Sequence, residues 1–556
     1  MIPRRFLRVA LRPIVWGVML SAPAVSAQSQ RPDPVPPAPQ AAEGDVLKLT
    51  IDDAVKRAIE NNPDLAIVRL GTDVEAARVS QADSAYRPVF STVFGRSSVM
   101  SPSSSFDQIE GIETTDLFAT TGLRQRLRTG GGTWALGWDA SRTASDSFIN
   151  SFNPTLRSGL LVAFSQPLLR DRKIDAVRVQ NVIVKRNLKS SELRSLQASV
   201  QTVAAVKQAY WTLKAAQANV TVQQRSLELA EDLVRQNQAR VNVGQAPPLD
   251  LVQAQAEVAT RRENLIRADA IAKDAEDRLR RLMMDPSDTS FWNVRLSPVD
   301  EPVSDNTPPD QARAVESALR DRYDLALLRQ DLENADTNVE FFNNQKLPDV
   351  RLEASYRGGG VGGTQLVRTG PFPGTVTGSV DTGFGDVLGQ VFGRDFPTWS
   401  VGVTVNYPIG RSFEDAGLAR AEIERKQSAQ RIASLQLQVA ETVRSAARDV
   451  QSTKERVDAA RAGETLAQQR LTVENRRFDA GFSTTFLVTQ AQRDLLQAQV
   501  NLLQAVLDHQ SSLVNFEAVQ KAPNQGAGDG SFSGSGAVVP FAPSSPQGIF
   551  RISGGL

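Results

Sequence analysis

One imidazole, at His509, and no thiol anywhere leave this chain of 556 residues little with which to do covalent or metal chemistry. Thiol nucleophiles and zinc clusters are excluded, as are serine–histidine triads unless they use His509. His509 itself falls on the apolar seam of a helix, where an earlier copy of the same pattern has Ala272. That place points to packing or an interhelical hydrogen bond. Tyr210-Trp211 reads the same way, as helix packing and not as a binding platform. No catalytic, cofactor-binding or metal-binding residue is expected. A formal charge of +1 offers no basic surface for nucleic acid. The residues suited to making contacts are of another kind: glycines that close two helices, Gly244 and Gly481, and aromatics at the ends of one alternating run, Trp399 and Tyr407.

The elements behind them are long. From Ile174 to Val243 neither glycine nor proline occurs, and Val206, Leu213, Val220, Leu227, Val234 and Val241 recur every seven residues, a coiled-coil seam. At the α-helical rise this is a rod of roughly 105 Å. The positions three before the seam read Val203, Tyr210, Gln217, Gln224, Glu231 and Gln238, a half-polar companion that suits a larger assembly better than a dry two-stranded coil. The pattern returns 237 residues later as Val443, Val450, Val457, Glu464, Leu471 and Phe478. The chain therefore reads as two copies of one unit.

At the N-terminus, Arg4, Arg5, Arg8 and Arg12 precede the apolar run Ile14–Leu20 and the small residues Val25-Ser26-Ala27. Residues 1–27 read as a signal peptide, the apolar run being too short to span a bilayer, which takes ~20 residues. Residues 28–48 are proline-rich and residues 522–556 are rich in glycine, serine and proline; both are expected to be flexible or disordered. No other stretch is apolar for long enough to cross a membrane as a helix. Any span must be made of strands.

Between these ends the first repeat, 49–286, starts with a short helix from Leu49 to Glu60. Asn62 then caps a helix that begins at Pro63. After Pro88, strands are expected from Phe90, over Leu117–Leu127 and Trp134–Ala140 as a hairpin turning at Thr129–Gly132, and around Leu160–Phe164. Arg124, Arg126 and Arg128 share one strand face, where they either line a lumen or are solvated. The rod follows, closed by Val243-Gly244 and stopped by Pro247-Pro248. A second seam of Leu251, Val258, Leu265, Ala272 and Leu279, with Ala254, Ala268, Ala275 and Leu282, makes an antiparallel hairpin. Residues 287–309 are a connector. The second repeat, 310–521, places a strand at Val350–Tyr356, a glycine-rich loop, a strand at Trp399–Tyr407, and a second hairpin turning at Gly481.

One face of that last strand is Trp399, Val401, Val403, Val405 and Tyr407, and the other is Ser400, Gly402, Thr404 and Asn406. Eight steps of about 3.3 Å put the aromatic ends roughly 26 Å apart, close to the ~25 Å apolar band of outer-membrane barrels with their aromatic girdles. One chain supplies four to six strands, fewer than a closed barrel needs. Open edges cannot sit in lipid, so several chains must share one barrel.

Leu49-Thr50-Ile51, Asn62-Pro63 with Leu65, Gln166-Pro167-Leu168-Leu169 and the paired tips Val243-Gly244 to Asp250-Leu251 and Ala480-Gly481 to Leu487-Val488 together resemble the TolC family of outer-membrane efflux proteins, over nearly all of residues 49–520. The resemblance implies a mainly α fold with a transmembrane β-barrel part, in which long helical hairpins form an α-barrel across the periplasm of a homotrimer. It implies no enzyme activity and no cofactor. It implies partners too: a periplasmic adaptor protein, an inner-membrane pump for drug efflux or type I secretion, and outer-membrane lipid. On this reading Val243, Gly244, Asp250, Leu251, Ala480, Gly481, Leu487 and Val488 form the adaptor-docking tips. Asp250, Gln253, Leu487 and Gln490 stand at the tunnel entrance, and Trp399 and Tyr407 form the girdle. The chain departs from the family where aspartates narrow the tunnel mouth, since Leu487 and Gln490 stand there. Asp250 either keeps that role or caps its helix. A periplasmic adaptor predicts one hairpin between halves of a lipoyl-like domain, and a structural coiled-coil stalk leaves the strands unexplained. The hairpin Leu117–Ala140 lies either in the barrel, which makes 18 strands in a trimer where the family pattern implies 12, or above the membrane.

Overall fold

The computed structural model describes residues 46–102, 111–147, 149–285, 287–302, 308–371, 374–410 and 412–523. The expected signal peptide, most of the proline-rich segment and all but two residues of the tail lie outside them. Thr50 divides the first two elements, β1 (Val46–Leu49) and α1 (Ile51–Asn61), and its hydroxyl accepts the Asp53 amide. The helix expected from Leu49 thus starts two residues later, and residues 46–48, assigned from composition to a flexible segment, are strand. Asn62 caps α2 (Pro63–Asp83) by accepting the Leu65 amide at 3.1 Å, with Pro63 at the first position, where no amide donor is needed.

Four strands follow as a meander, β2 (Val89–Ser101), β3 (Ile112–Arg126), β4 (Thr133–Ser145) and β5 (Phe152–Pro167). Then come α3 (Ala176–Asn242) and α4 (Pro248–Met283). The expected connector is not featureless. It holds a turn of 3-10 helix at Thr289–Asn293 and β6 (Arg295–Pro298), which pairs in parallel with β1.

The second half runs α5 (Gln311–Asp321), α6 (Tyr323–Gln345), β7 (Asp349–Thr369), β8 (Thr375–Thr382), α7 (Phe384–Gly393), β9 (Phe396–Asn406), α8 (Phe413–Asp479) and α9 (Thr485–Val519). The glycine-rich stretch after Tyr356 is not a loop. Strand β7 continues through Gly358, Gly359, Gly360, Gly362 and Gly363 for 21 residues in all. Among the described residues no helix is long and apolar enough to cross a membrane.

The main sheet is ordered β2-β3-β4-β5-β7, and the far edge of β7 is shared. Strand β9 pairs with residues 349–359 and β8 with residues 363–369, so seven strands occupy six positions. Continuous register sets two faces. Phe90, Phe94, Leu117, Leu123, Trp134, Leu136, Trp138, Val162, Phe164, Leu352, Tyr356, Trp399, Val401, Val403 and Val405 share one. Arg124, Asp139, Arg351, Glu353, Arg357, Ser400 and Thr404 lie on the other, where Arg357 pairs with Asp139 at 2.8 Å. Arg128 leaves this face, lying past the end of β3 over the Tyr86 ring and 3.8 Å from Asp83.

The helices pack where the heptads require it. Val206 and Leu213 are fully buried with Leu49, Ala54, Ala58, Tyr210, Leu279 and Leu296. Towards the tip the expected seam opens: Val220, Leu227, Val234 and Val241 are only half-buried, and Gln223, Ala230, Leu233 and Asn237 are the buried positions. There α3 turns a second face to the other hairpin, with Leu233 against Phe478 and Val488. His509 is buried with Nδ1 3.2 Å from Thr453 Oγ1, an interhelical contact between α8 and α9. Burial, and then the charge of Lys454, push its imidazole below the ordinary histidine range.

Tyr210 joins the repeat's short elements to the rod. Its hydroxyl lies 2.7 Å from Asp300 Oδ2 and 3.0 Å from the Leu49 carbonyl, while Asp300 also accepts the Ile51 amide. Burial, and then the bond to Asp300, push the phenol upward and keep it a donor. Tyr210→Phe removes the donor to a charged acceptor, so we expect a loss of about 1.5–3 kcal/mol. Thermal unfolding followed by circular dichroism reads this as a lowered midpoint; an unchanged midpoint refutes it.

Candidate functional site

Each hairpin turns in the same way. The Gly244 amide donates to Val241 and the Gln245 amide to Arg240; at the other tip Gly481 donates to Phe478 and Phe482 to Arg477. These are paired Schellman closures, and they need a left-handed residue after the helix. Gly244 has φ +73° and Gly481 φ +78°, and a Cβ added at either would meet nothing within 4 Å. Around them Val243 (68% exposed), Leu249, Val252, Phe482 (82%), Phe486 and Leu487 stand open to solvent. Ala480 is exposed and Leu251 half-buried.

Two of the expected tip residues behave differently. Val488 is 2% exposed, because its seam position turns it onto Leu233 and Phe478, so it offers no outer surface. Asp250 does not cap α4. The capping position is Pro247, and Asp250 sits in the first turn, where Thr485 Oγ1 lies 3.3 Å from its carboxylate. Gln253 is exposed, and Gln490 bonds Asp494 at 2.8 Å along its own helix.

The two hairpins are tied to each other just above the tips. Arg240 donates to the Phe478 carbonyl at 2.8 Å with its guanidinium 3.9 Å from that ring's centre, and Thr485 bonds the buried Asn237 at 3.0 Å. Two turns further, the carboxylate of Glu257 on α4 is held by Arg261 of its own helix and Arg493 of α9. Glu257 and Arg261 are buried. Burial alone would raise the Glu257 carboxyl, but the bonds and charges of Arg493 and Arg261 outweigh it and hold the group below the ordinary carboxylate range. This triad was missed from sequence. Its signal was present: Arg261 occupies the one heptad position between Ala254 and Ala268 that the apolar seam skips.

At the other end of the molecule, Trp399 is 72% exposed, Val401, Val403 and Val405 between 57% and 64%, and Tyr407 61%. A row of that kind, open to solvent, is what an apolar medium covers. Among the described residues no group of histidine, cysteine, aspartate and glutamate could hold a metal ion.

The profile of the family described as outer membrane efflux protein matches residues 54–283 and 314–519. The chain belongs to the outer membrane efflux protein family. As a member it is an outer-membrane efflux channel component and not an enzyme. Outer membrane efflux protein BepC of Brucella suis biovar 1 (strain 1330) is 25% identical to it over 464 residues, 83% of each chain. The CmeC outer membrane channel of Campylobacter jejuni has the same fold, with TM-score 0.60 at 16% identity over 84% of this chain and 85% of that one. So has the MtrE outer membrane channel of Neisseria gonorrhoeae in its open state, with TM-score 0.56 at 17% identity over 85% of this chain and 89% of that one. In this efflux protein both family segments contain a complete long hairpin, α3–α4 and α8–α9, and end with it.

Proposed function

We propose that three copies of this efflux protein form a passive conduit from periplasm to exterior, with one shared β-barrel in the outer membrane and one α-helical tunnel below it. The carrying observation is the sheet: one face apolar and open, the other polar, with no strand partner on the outer edge of β2 or of β9 among the described residues. Lipid tolerates no unpaired edge. Pairing β9 of one copy with β2 of the next closes the ring, and six strand positions per chain then give eighteen strands. The hairpin β3–β4 lies inside the sheet, between β2 and β5, which supports eighteen over twelve.

The tips around Gly244 and Gly481 dock a periplasmic adaptor that links the tunnel to an inner-membrane pump, for drug efflux or type I secretion. Asp250 and Gln253 with Leu487 and Gln490 stand at the tunnel mouth. Trp399 and Tyr407 mark the outer and inner lipid interfaces. Two complete hairpins in one chain disfavour an adaptor, which has one. Outer-membrane fractionation with heat-modifiable migration tests the reading: the expected result is an outer-membrane species that runs as a trimer unheated and as a monomer after boiling. Recovery in the inner membrane or cytoplasm would refute it.

A further inference from the structure

The apolar face of the sheet does not end at its aromatic row. Beyond the paired Tyr356 and Trp399, helix α7 lies on that same face, over Gly358, Gly360 and Gly362 of β7. The fit depends on absent side chains. A Cβ at Gly360 would stand 2.3 Å from the Val387 carbonyl oxygen, one at Gly362 2.6 Å from Val387 Cγ2, and one at Gly358 3.0 Å from the Val391 carbonyl oxygen. Val387 and Val391 are buried by the contact. Gln390 Oε1 accepts the Val361 amide at 2.9 Å, in the gap where the ladder on β7 passes from β9 to β8. The helix is thus fixed to the sheet and completes its hydrogen bonding.

Only part of its apolar surface is used. Phe384, Leu388 and Phe392 recur every four residues beside the two buried valines, and Phe392 is 68% exposed. Trp399 follows on the same face, at 72%, whereas Phe396, paired with Gly359, takes the opposite one. The single charge in the helix, Asp386, is engaged at its N-terminus by the Gly383 amide. Ten residues make about 15 Å of helix, too short to cross a bilayer but long enough to lie along one.

We infer that α7 is an interfacial helix on the outside of the barrel, whose Phe384, Leu388 and Phe392 side enters the headgroup–acyl boundary of the outer leaflet. The inference rests on the barrel reading above, and three observations name lipid as the occupant. The exposed side of α7 adjoins the apolar face of the sheet, lying over Gly358, Gly360 and Gly362 in line with Leu352 and Tyr356 and next to Trp399. It lies two to six residues past Tyr356 along β7, about 7–20 Å, on the side away from the helices, where the headgroup region begins. It carries no free charge to offer a soluble partner. An apolar collar there fixes how deep the barrel sits.

The absence of native cysteine makes the test direct. Spin labels are attached singly through Phe392→Cys, Val403→Cys and Thr404→Cys in the full chain, reconstituted as trimer in phosphatidylethanolamine–phosphatidylglycerol vesicles. Collision with oxygen is compared with collision with a water-soluble nickel chelate. The expected result is an oxygen-to-nickel ratio several-fold higher at 392 and 403 than at 404, with 392 shallower than 403. A label at 392 that meets nickel freely, while 403 still favours oxygen, overturns the inference and leaves the barrel standing. A label at 392 shielded from both reagents means that a neighbouring copy covers α7, and also overturns it. If 403 itself favours nickel, the barrel reading fails first and the inference with it.

Discussion

Efflux falls to background when Gly244 or Gly481 is replaced by tryptophan, and the trimer persists. The two halves of this expectation come from the same geometry. A non-glycine residue at these φ values costs about 1–2 kcal/mol, and no neighbour lies within 4 Å of the new Cβ. The strain is local and the seams far from the tip, built on Val206 and Leu213 in one repeat and Val443 and Val450 in the other, are untouched. What changes is the outer surface, where a bulky ring now stands among Val243, Leu249 and Phe482. Drug susceptibility of a strain lacking its own channel reads transport, and native gel electrophoresis reads assembly. Gly244→Ala carries the strain without the bulk and is expected to keep most activity. Full transport with tryptophan at both positions would remove the tips from the docking surface.

Glu257→Gln has the second large effect, because it leaves Arg261 buried without a counter-charge. Breaking the buried Glu257–Arg261 pair from one side costs about 3–5 kcal/mol, and the same change weakens the bond from Arg493 that ties α9 to α4. The expected outcome is a tunnel mouth that opens more often, seen as higher conductance of reconstituted trimers in planar bilayers at pH 7. Acid gives the wild type the same behaviour. The folded carboxyl lies below its ordinary value of 4.5, so the pairing contributes in full above that value and is lost as pH falls through the lower, folded one. Wild-type conductance therefore rises below pH 4.5, and the variant shows no such step. Equal conductance of the two at pH 7 would rule out a latch here.

The long helices were legible because a run without glycine or proline and a seven-residue repeat admit few other readings. Asp175 and Asn242 bound α3 within two residues of the expected ends. Asn62-Pro63 and the two closing glycines were legible for the same reason, each being a local chemical requirement. Strand β7 was not. Its glycines read as a loop because their purpose is the close approach of α7, a contact formed between segments about 30 residues apart. Val488 reads as outer surface where the structure buries it, and of the two readings of Asp250 the structure excludes the helix cap. Heptad spacing says which residues are apolar, and only the placement of the neighbouring hairpin says which of them it covers. Strands β1 and β6, four residues each with partners 249 positions apart, carry no periodicity to detect.

Perimeter is where the sixth strand position tells. In the proposed trimer each chain contributes four helices at each level of the tunnel, twelve in all, and neighbours about 8–10 Å apart make a ring about 96–120 Å around. Eighteen strands spaced about 4.8 Å apart and tilted by about 40° span roughly 113 Å, whereas twelve at that tilt span roughly 75 Å. In the proposed eighteen-strand trimer the two rings therefore match in circumference, and strands can pass into helices without the wall narrowing. In that assembly a molecule leaving the tunnel meets no funnel at the membrane, and the constriction of the conduit is expected at its periplasmic end.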